Sequence, residues 1–144
     1  MSSFLIQGGK RLQGELKIAG NKNATLPIIA ATILTDSPCT LENVPSIIDV
    51  QAMLDIAAAL GKKIERLSEN AYRISGKVVN NAPAAEQVQK LRASILFMGA
   101  LTTRTGEAFI APPGGCVIGR QKLAPHIDAF ADIGIMVEDR KSVV

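Results

Sequence analysis

Cys116 is the residue of this sequence best placed to do chemistry. It lies in Pro112-Pro113-Gly114-Gly115-Cys116-Val117-Ile118-Gly119-Arg120, with two glycines before it and one three residues after. Glycine reaches backbone angles that other residues avoid, so such a stretch can bend sharply. Arg120 and Lys122 follow closely, and nearby cations favour thiolate over thiol. The stretch therefore predicts an exposed, electropositive arm carrying a reactive sulfur. The competing reading of a single cysteine is a small buried hydrophobe with no chemistry. Cys39, inside Pro38-Cys39-Thr40-Leu41-Glu42, reads as that second kind, on a buried strand.

Two further cations stand near the starts of apolar runs. Gly20-Asn21-Lys22-Asn23 precedes an apolar segment over 24–34. Asn23 reads as the N-cap, with Pro27 tolerated in the first turn. Unbonded N–H groups and the helix dipole favour an anion there, and Lys22 adds a full charge. A solvated lysine beside an ordinary cap is the alternative. Arg92 flanks the run 91–101, which is nearly all apolar. An arginine so placed needs a carboxylate or phosphate partner. A structural salt bridge and a bound anion satisfy that need equally well.

The elements that must position these residues follow from periodicity and turn chemistry. Short strands are expected over 4–7 and 14–19, then a helix over 24–34 and a strand over 39–42. A helix over 48–60 carries Val50, Met53, Leu54, Ala57 and Leu60 at helical spacing and stops at Gly61. A hairpin over 63–67 and 71–75 turns at Glu69-Asn70. A long helix over 84–103, a strand over 107–111, a helix over 124–133 and a strand over 135–138 complete the order.

That order hides a repeat. Residues 31–45 and 99–113 both run helix end, polar turn, short strand, proline, 68 positions apart. Residues 53–65 and 126–138 share Asp, Ala, Gly and Glu in place, 73 positions apart. The second unit has therefore gained five residues between its proline and its helix, and that interval holds Cys116. Insertions on repeats tend to carry binding or chemistry.

Composition narrows the class. The 144 residues are 47% hydrophobic, with no Trp and a net charge of +3. Such a chain is long and apolar enough for one real core. Its basic residues are scattered and not interleaved with aromatics, so no nucleic-acid groove is indicated. The N-terminus lacks a signal-peptide layout, and the apolar stretch 26–34 is far short of a bilayer span. Two cysteines in unlike contexts form no disulfide framework. A soluble cytoplasmic protein is expected.

Four ordered motifs carry a resemblance: Gly20-Asn21-Lys22-Asn23-Ala24, Leu41-Glu42-Asn43-Val44-Pro45, Leu91-Arg92-Ala93-Ser94-Ile95 and Pro113-Gly114-Gly115-Cys116-Val117-Ile118-Gly119. Together they resemble the enolpyruvyl transferase family, over residues 4–138. Within it they are most similar to the branch acting on UDP-N-acetylglucosamine. The sister enzyme, 5-enolpyruvylshikimate-3-phosphate synthase, shares the repeats but lacks the glycine-cysteine loop and the Leu-Arg-Ala-Ser motif. The resemblance implies an α/β (α+β) fold of repeated β-α-β-α-β-β units in an inside-out barrel, two of six repeats being present. It implies transfer of enolpyruvate from phosphoenolpyruvate to the 3-hydroxyl of UDP-N-acetylglucosamine, the first committed step of peptidoglycan synthesis. By the same resemblance, Lys22 and Asn23 hold phosphoenolpyruvate. Cys116 is the general acid, open to alkylation by fosfomycin-type epoxides. Arg92, Arg120, Gln121, Lys122 and Leu123 face UDP-N-acetylglucosamine. No metal or other cofactor is implied, and no nucleic acid, membrane or obligate protein partner.

The sequence departs from the family pattern in three places. Gln121 stands where an arginine is usual and Ala124 where an aspartate is usual. A lysine usual just after Asn43-Val44-Pro45 is missing, with Ser46 and Ile48 in that region. His126 matches the family histidine and reads as structural. Residues 1–20 are expected to pack with a second domain, 21–138 to form a partial domain of two repeats, and 139–144 to be a foreign tail on a truncated reading of a longer gene. An inactive anion- or nucleotide-sugar-binding fragment is the alternative function. The uncovered apolar faces predict self-association.

Overall fold

The computed structural model describes residues 3–114 and 123–138. Its organising element is helix α1 (Lys22–Ala31), which continues as a 3-10 turn over Thr32–Leu34. The cap is Asn21 and not the expected Asn23: the Asn21 side chain accepts a hydrogen bond from the Ala24 N–H at 3.0 Å. Two asparagines two positions apart compete for this role, and the extended backbone of Asn21 selects it. Pro27 lies inside the helix, so it has no N–H to give the Asn23 carbonyl. Thr25, Leu26, Ile29 and Ala30 form the buried face.

Strands β1 (Cys39–Leu41), β2 (Lys63–Ser68) and β3 (Ala71–Ser75) form one antiparallel sheet in the order β1-β3-β2. The hairpin turns at Glu69-Asn70 as expected, with Ile64 opposite Ile74 and Glu65 opposite Arg73. An irregularity falls between Arg66 and Ser68. Strand β1 pairs through Cys39 with Ile74 and Leu41 with Tyr72. It is an edge strand, so Cys39 is half-buried and not the fully buried hydrophobe expected. Helix α2 (Ile48–Ala59) covers the core with Val50, Met53, Leu54, Ile56 and Ala57. It ends as predicted at Gly61, whose φ is +108°.

The single helix expected over 84–103 is three pieces: α3 (Ala85–Val88), a 3-10 helix (Arg92–Ile95) and α4 (Leu96–Thr105). Leu91 between them is extended, with φ −152° and ψ 150°. The cause is Ser94, which is fully buried. Its hydroxyl lies 2.7 Å from the Leu91 carbonyl and 2.8 Å from that of Val88. A side-chain donor competing for backbone carbonyls breaks the helical ladder.

Four expected strands, over 4–7, 14–19, 107–111 and 135–138, are not formed. A strand needs a ladder partner. In the first unit β1 and β2 do not touch; each pairs only with β3 between them. Residues 107–111 and 135–138 repeat β1 and β2, and no described residue repeats β3. Phe109 instead gives its N–H to the Asn81 carbonyl at 2.9 Å. The residues from 3 to 19 are almost all exposed, Phe4, Leu5 and Ile6 included. Helix α5 (Ala124–Asp132) matches the expected 124–133 but buries no residue.

One buried cation fastens the sheet to the helices. Lys62 is only 3% exposed. Its ammonium donates to the carbonyls of Thr35 and Gly76, both at 2.6 Å. Burial lowers its pKa below the usual lysine range, and the nearby Asp36 charge partly offsets that. Asp36 in turn pairs with Arg104 of α4 at 2.6 Å, tying the first unit to the second.

Candidate functional site

The start of α1 is set by a close backbone approach. A Cβ on Gly20 would overlap the Asn43 carbonyl oxygen and lie 2.9 Å from its carbon. Only glycine fits. Asn43 presents that carbonyl from a left-handed conformation, φ +54°, which asparagine tolerates better than most residues. Its side-chain amide reaches the Ile18 carbonyl at 3.5 Å. The next residue, Val44, gives its N–H to the Asn70 carbonyl in the hairpin turn at 2.8 Å. The first and second motifs of the sequence are thus one contact, anchored on the sheet.

Lys22 and Asn23 are the first two residues of α1 and both are exposed. Their free N–H groups point along the positive end of the helix. The Lys22 ammonium is ion-paired with the Asp49 carboxylate in the first turn of α2. The two helix starts therefore meet. Asp49 was not among the residues singled out from the sequence; the signal available was an acidic residue in a first turn, common in any helix. Ile48, where the family pattern has a lysine nearby, is 86% exposed beside it.

Arg92 opens the 3-10 helix and is half-buried. Its segment packs on α2, the helix that carries Asp49. Ser94 sets its presentation by holding the Leu91–Ser94 turn. A Cβ on Gly114 would overlap the Gln89 carbonyl oxygen and lie 2.7 Å from its carbon. The fourth motif thus meets, through a glycine, the residue three positions before Arg92 and two before the third motif.

Cys116, Arg120, Gln121 and Lys122 lie outside the described residues. Leu123 is described, half-buried, and its carbonyl accepts from His126 at 2.9 Å and Ile127 at 3.2 Å. Those bonds start α5 and do not bring Leu123 to Lys22 or Arg92. His126 is exposed. Among the described residues no group of three or more His, Cys, Asp or Glu could hold a metal, and no helix is long and apolar enough to cross a membrane.

An exposed lysine at a capped helix start and an arginine on a turn thus both border helix α2, each unit with a glycine contact nearby. Comparison with known proteins supplies the family of the chain. Residues 6–144 match the model of EPSP synthase (3-phosphoshikimate 1-carboxyvinyltransferase). The UDP-N-acetylglucosamine 1-carboxyvinyltransferase of Treponema denticola is 45% identical over 139 residues, covering 96% of this chain and 33% of that protein. The enzyme of the same name from Treponema pallidum is 44% identical, covering 95% and 32%. That from Methylacidiphilum infernorum is 39% identical, covering 96% and 32%. The chain spans about one third of the length of these curated relatives. The solved enolpyruvyl transferase NikO from Streptomyces tendae shares the fold, with a TM-score of 0.59 at 24% identity over 69% of this chain and 23% of its own. The chain belongs to the EPSP synthase (3-phosphoshikimate 1-carboxyvinyltransferase) family of enolpyruvyl transferases.

Proposed function

We propose that the protein to which this sequence belongs transfers the enolpyruvyl group of phosphoenolpyruvate to the 3-hydroxyl of UDP-N-acetylglucosamine, the first committed step of peptidoglycan synthesis. The observation that carries this reading is the shared name of relatives 39–45% identical over nearly the whole chain. The glycine-cysteine motif of the UDP-N-acetylglucosamine branch supports it over the sister shikimate reaction. The chemistry suits the residues. Phosphoenolpyruvate carries a phosphate and a carboxylate, so its site must gather cations. Lys22 and Asn23 bind it at the start of α1. The Cys116 thiol gives a proton to the methylene carbon, leaving a cationic carbon that the sugar hydroxyl attacks. The hydroxyl proton passes to solvent as the C–O bond forms; a methyl proton then leaves, phosphate departs with the electrons of its C–O bond, the double bond is restored, and the Cys116 thiolate takes up a proton again. Arg92 and the segment Arg120, Gln121, Lys122 and Leu123 bind the nucleotide sugar. The reaction needs no metal or organic cofactor and takes place in the cytoplasm.

Residues 1–20 pack with a second domain, 21–138 form a partial domain of two repeats, and 139–144 are a foreign tail. A second reading follows from the one-third span of the relatives: the 144-residue chain alone binds anions without turnover. The test is phosphate release from phosphoenolpyruvate dependent on UDP-N-acetylglucosamine. It is run on this chain and on the longer product of the parent gene read past Glu138. Turnover by the longer product, abolished by Cys116→Ala, is expected. Turnover that survives Cys116→Ala would remove the thiol from the mechanism, and release dependent on shikimate 3-phosphate instead would reassign the substrate.

A further inference from the structure

The Lys22 ammonium sits at the wrong end of its own helix. The start of α1 is the positive end of the dipole and repels a cation placed in the first turn. Nothing in α1 offsets this, because its first turn holds no acidic residue. The offsetting charge comes from the neighbouring helix: Asp49 of α2 pairs with Lys22. Asp49 itself is in a favourable position, an anion in the first turn of α2. Both helices are anchored in the same core, α1 through Leu26, Ile29 and Ala30 and α2 through Val50, Met53, Leu54, Ile56 and Ala57.

We infer that Asp49 is the positioning residue of Lys22, holding its ammonium over the first turn of α1 so that phosphoenolpyruvate meets it already in place. This rests on the reading of Lys22 as a phosphoenolpyruvate ligand. A lysine has four side-chain torsions and loses much freedom when fixed. A carboxylate that has already fixed it removes that cost from ligand binding. The pairing does not block the site: an ammonium has three protons, and one carboxylate oxygen in contact leaves the others for a phosphate. Asp49 also repels the ligand, but side chains of Lys22 and Asp49 are 49% and 34% exposed, and solvent screens that repulsion. Preorganisation is the larger effect.

The experiment reads the side-chain ammonium resonance of Lys22 by nitrogen–proton NMR on the 144-residue chain, assigned by its loss in Lys22→Gln. Asp49→Asn and Asp49→Glu are compared with the wild type, with and without phosphoenolpyruvate. Exchange of the ammonium protons with water is expected to quicken at least threefold in Asp49→Asn and to slow again in Asp49→Glu, with the backbone amide spectrum unchanged beyond the two helix starts. The phosphoenolpyruvate concentration that half-shifts the resonance is expected to rise at least threefold in Asp49→Asn and to recover in Asp49→Glu. Slow exchange that survives Asp49→Asn overturns the assignment of Asp49, as does equal or tighter phosphoenolpyruvate binding in that variant. A wild-type Lys22 resonance that depends on Asp49 yet ignores phosphoenolpyruvate overturns the ligand reading of Lys22, and with it any role for Asp49 toward that ligand.

Discussion

Ser94→Ala tests whether one hydroxyl holds the turn that presents Arg92. Ser94 is fully buried, and its hydroxyl serves the carbonyls of Val88 and Leu91 at 2.8 and 2.7 Å. Its one proton is shared between them, and the Leu91 carbonyl keeps the Ser94 N–H at 3.4 Å, so removing the hydroxyl takes this donor chiefly from the Val88 carbonyl, at a cost of about 1–3 kcal/mol. Alanine gives back about 0.5 kcal/mol through higher helix propensity. The net loss is about 1–2 kcal/mol, since the shape of the site hardly changes. For a chain of this size, at about 2–4 °C per kcal/mol, that lowers Tm by about 2–8 °C. In urea, with a slope of about 2 kcal/mol per molar, the midpoint falls by about 0.5–1 M at constant slope. Thr103→Ala, on the exposed side of α4, is the control and stays within about 0.5 kcal/mol. A midpoint for Ser94→Ala that is unchanged or higher would refute the reasoning, because helix propensity would then outweigh the buried hydroxyl. The break between α3 and α4 would need another cause.

Three further outcomes are expected. Gly114→Ala forces a Cβ into the Gln89 backbone; it should cost about 1–3 kcal/mol and shift the amide resonances of 89–92, and an unperturbed spectrum would deny the contact. Asn43→Val should be clearly less stable than Asn43→Gly in urea, by about 1–2 kcal/mol, because φ is +54° there and a branched side chain resists it; equal stability would deny the left-handed turn. The Lys62 pKa is lowered by burial, so the folded state disfavours the charged amine, and that cost is complete below the folded pKa. It is relieved as pH rises from there toward the unfolded value near 10.5. Wild-type stability relative to Lys62→Met should therefore increase across that interval in paired urea titrations, and a flat or falling difference would contradict it.

What the sequence made legible follows the range of the forces involved. Helix α2 and the hairpin were readable because their signals are local: Val50, Met53, Leu54, Ala57 and Leu60 at helical spacing, a glycine stop, two turn residues. The helix over 84–103 was misread because its break depends on one serine reaching back three and six residues, and Ser94 looks like any polar residue in an apolar run. The strands over 107–111 and 135–138 have strand-like patterns, but pattern does not supply the central partner that the order β1-β3-β2 demands. Lys22 and Asn23 were legible as lying at the start of α1 from their place before an apolar run. Asp49 was not, since its pairing with Lys22 spans 27 positions and leaves no local trace.

The two glycine contacts occupy corresponding places in the two units. In the first unit, Gly20 just before helix α1 lies against Asn43 and, through its missing Cβ, 3.0 Å from Pro45 Cδ. In the second unit Gln89, just before the Arg92 turn, lies against Gly114, which follows Pro113. Pro45 and Pro113 are repeat partners, 68 positions apart. Each unit therefore docks the residues after its strand onto the residues before its apolar helix, and each places a glycine at the crossing. The glycine lies on the helix side in one unit and on the loop side in the other. In the first unit the chain passes from this crossing almost directly into α2, whose first turn supplies Asp49 to Lys22. In the second unit the five inserted residues fall after the same crossing and before α5.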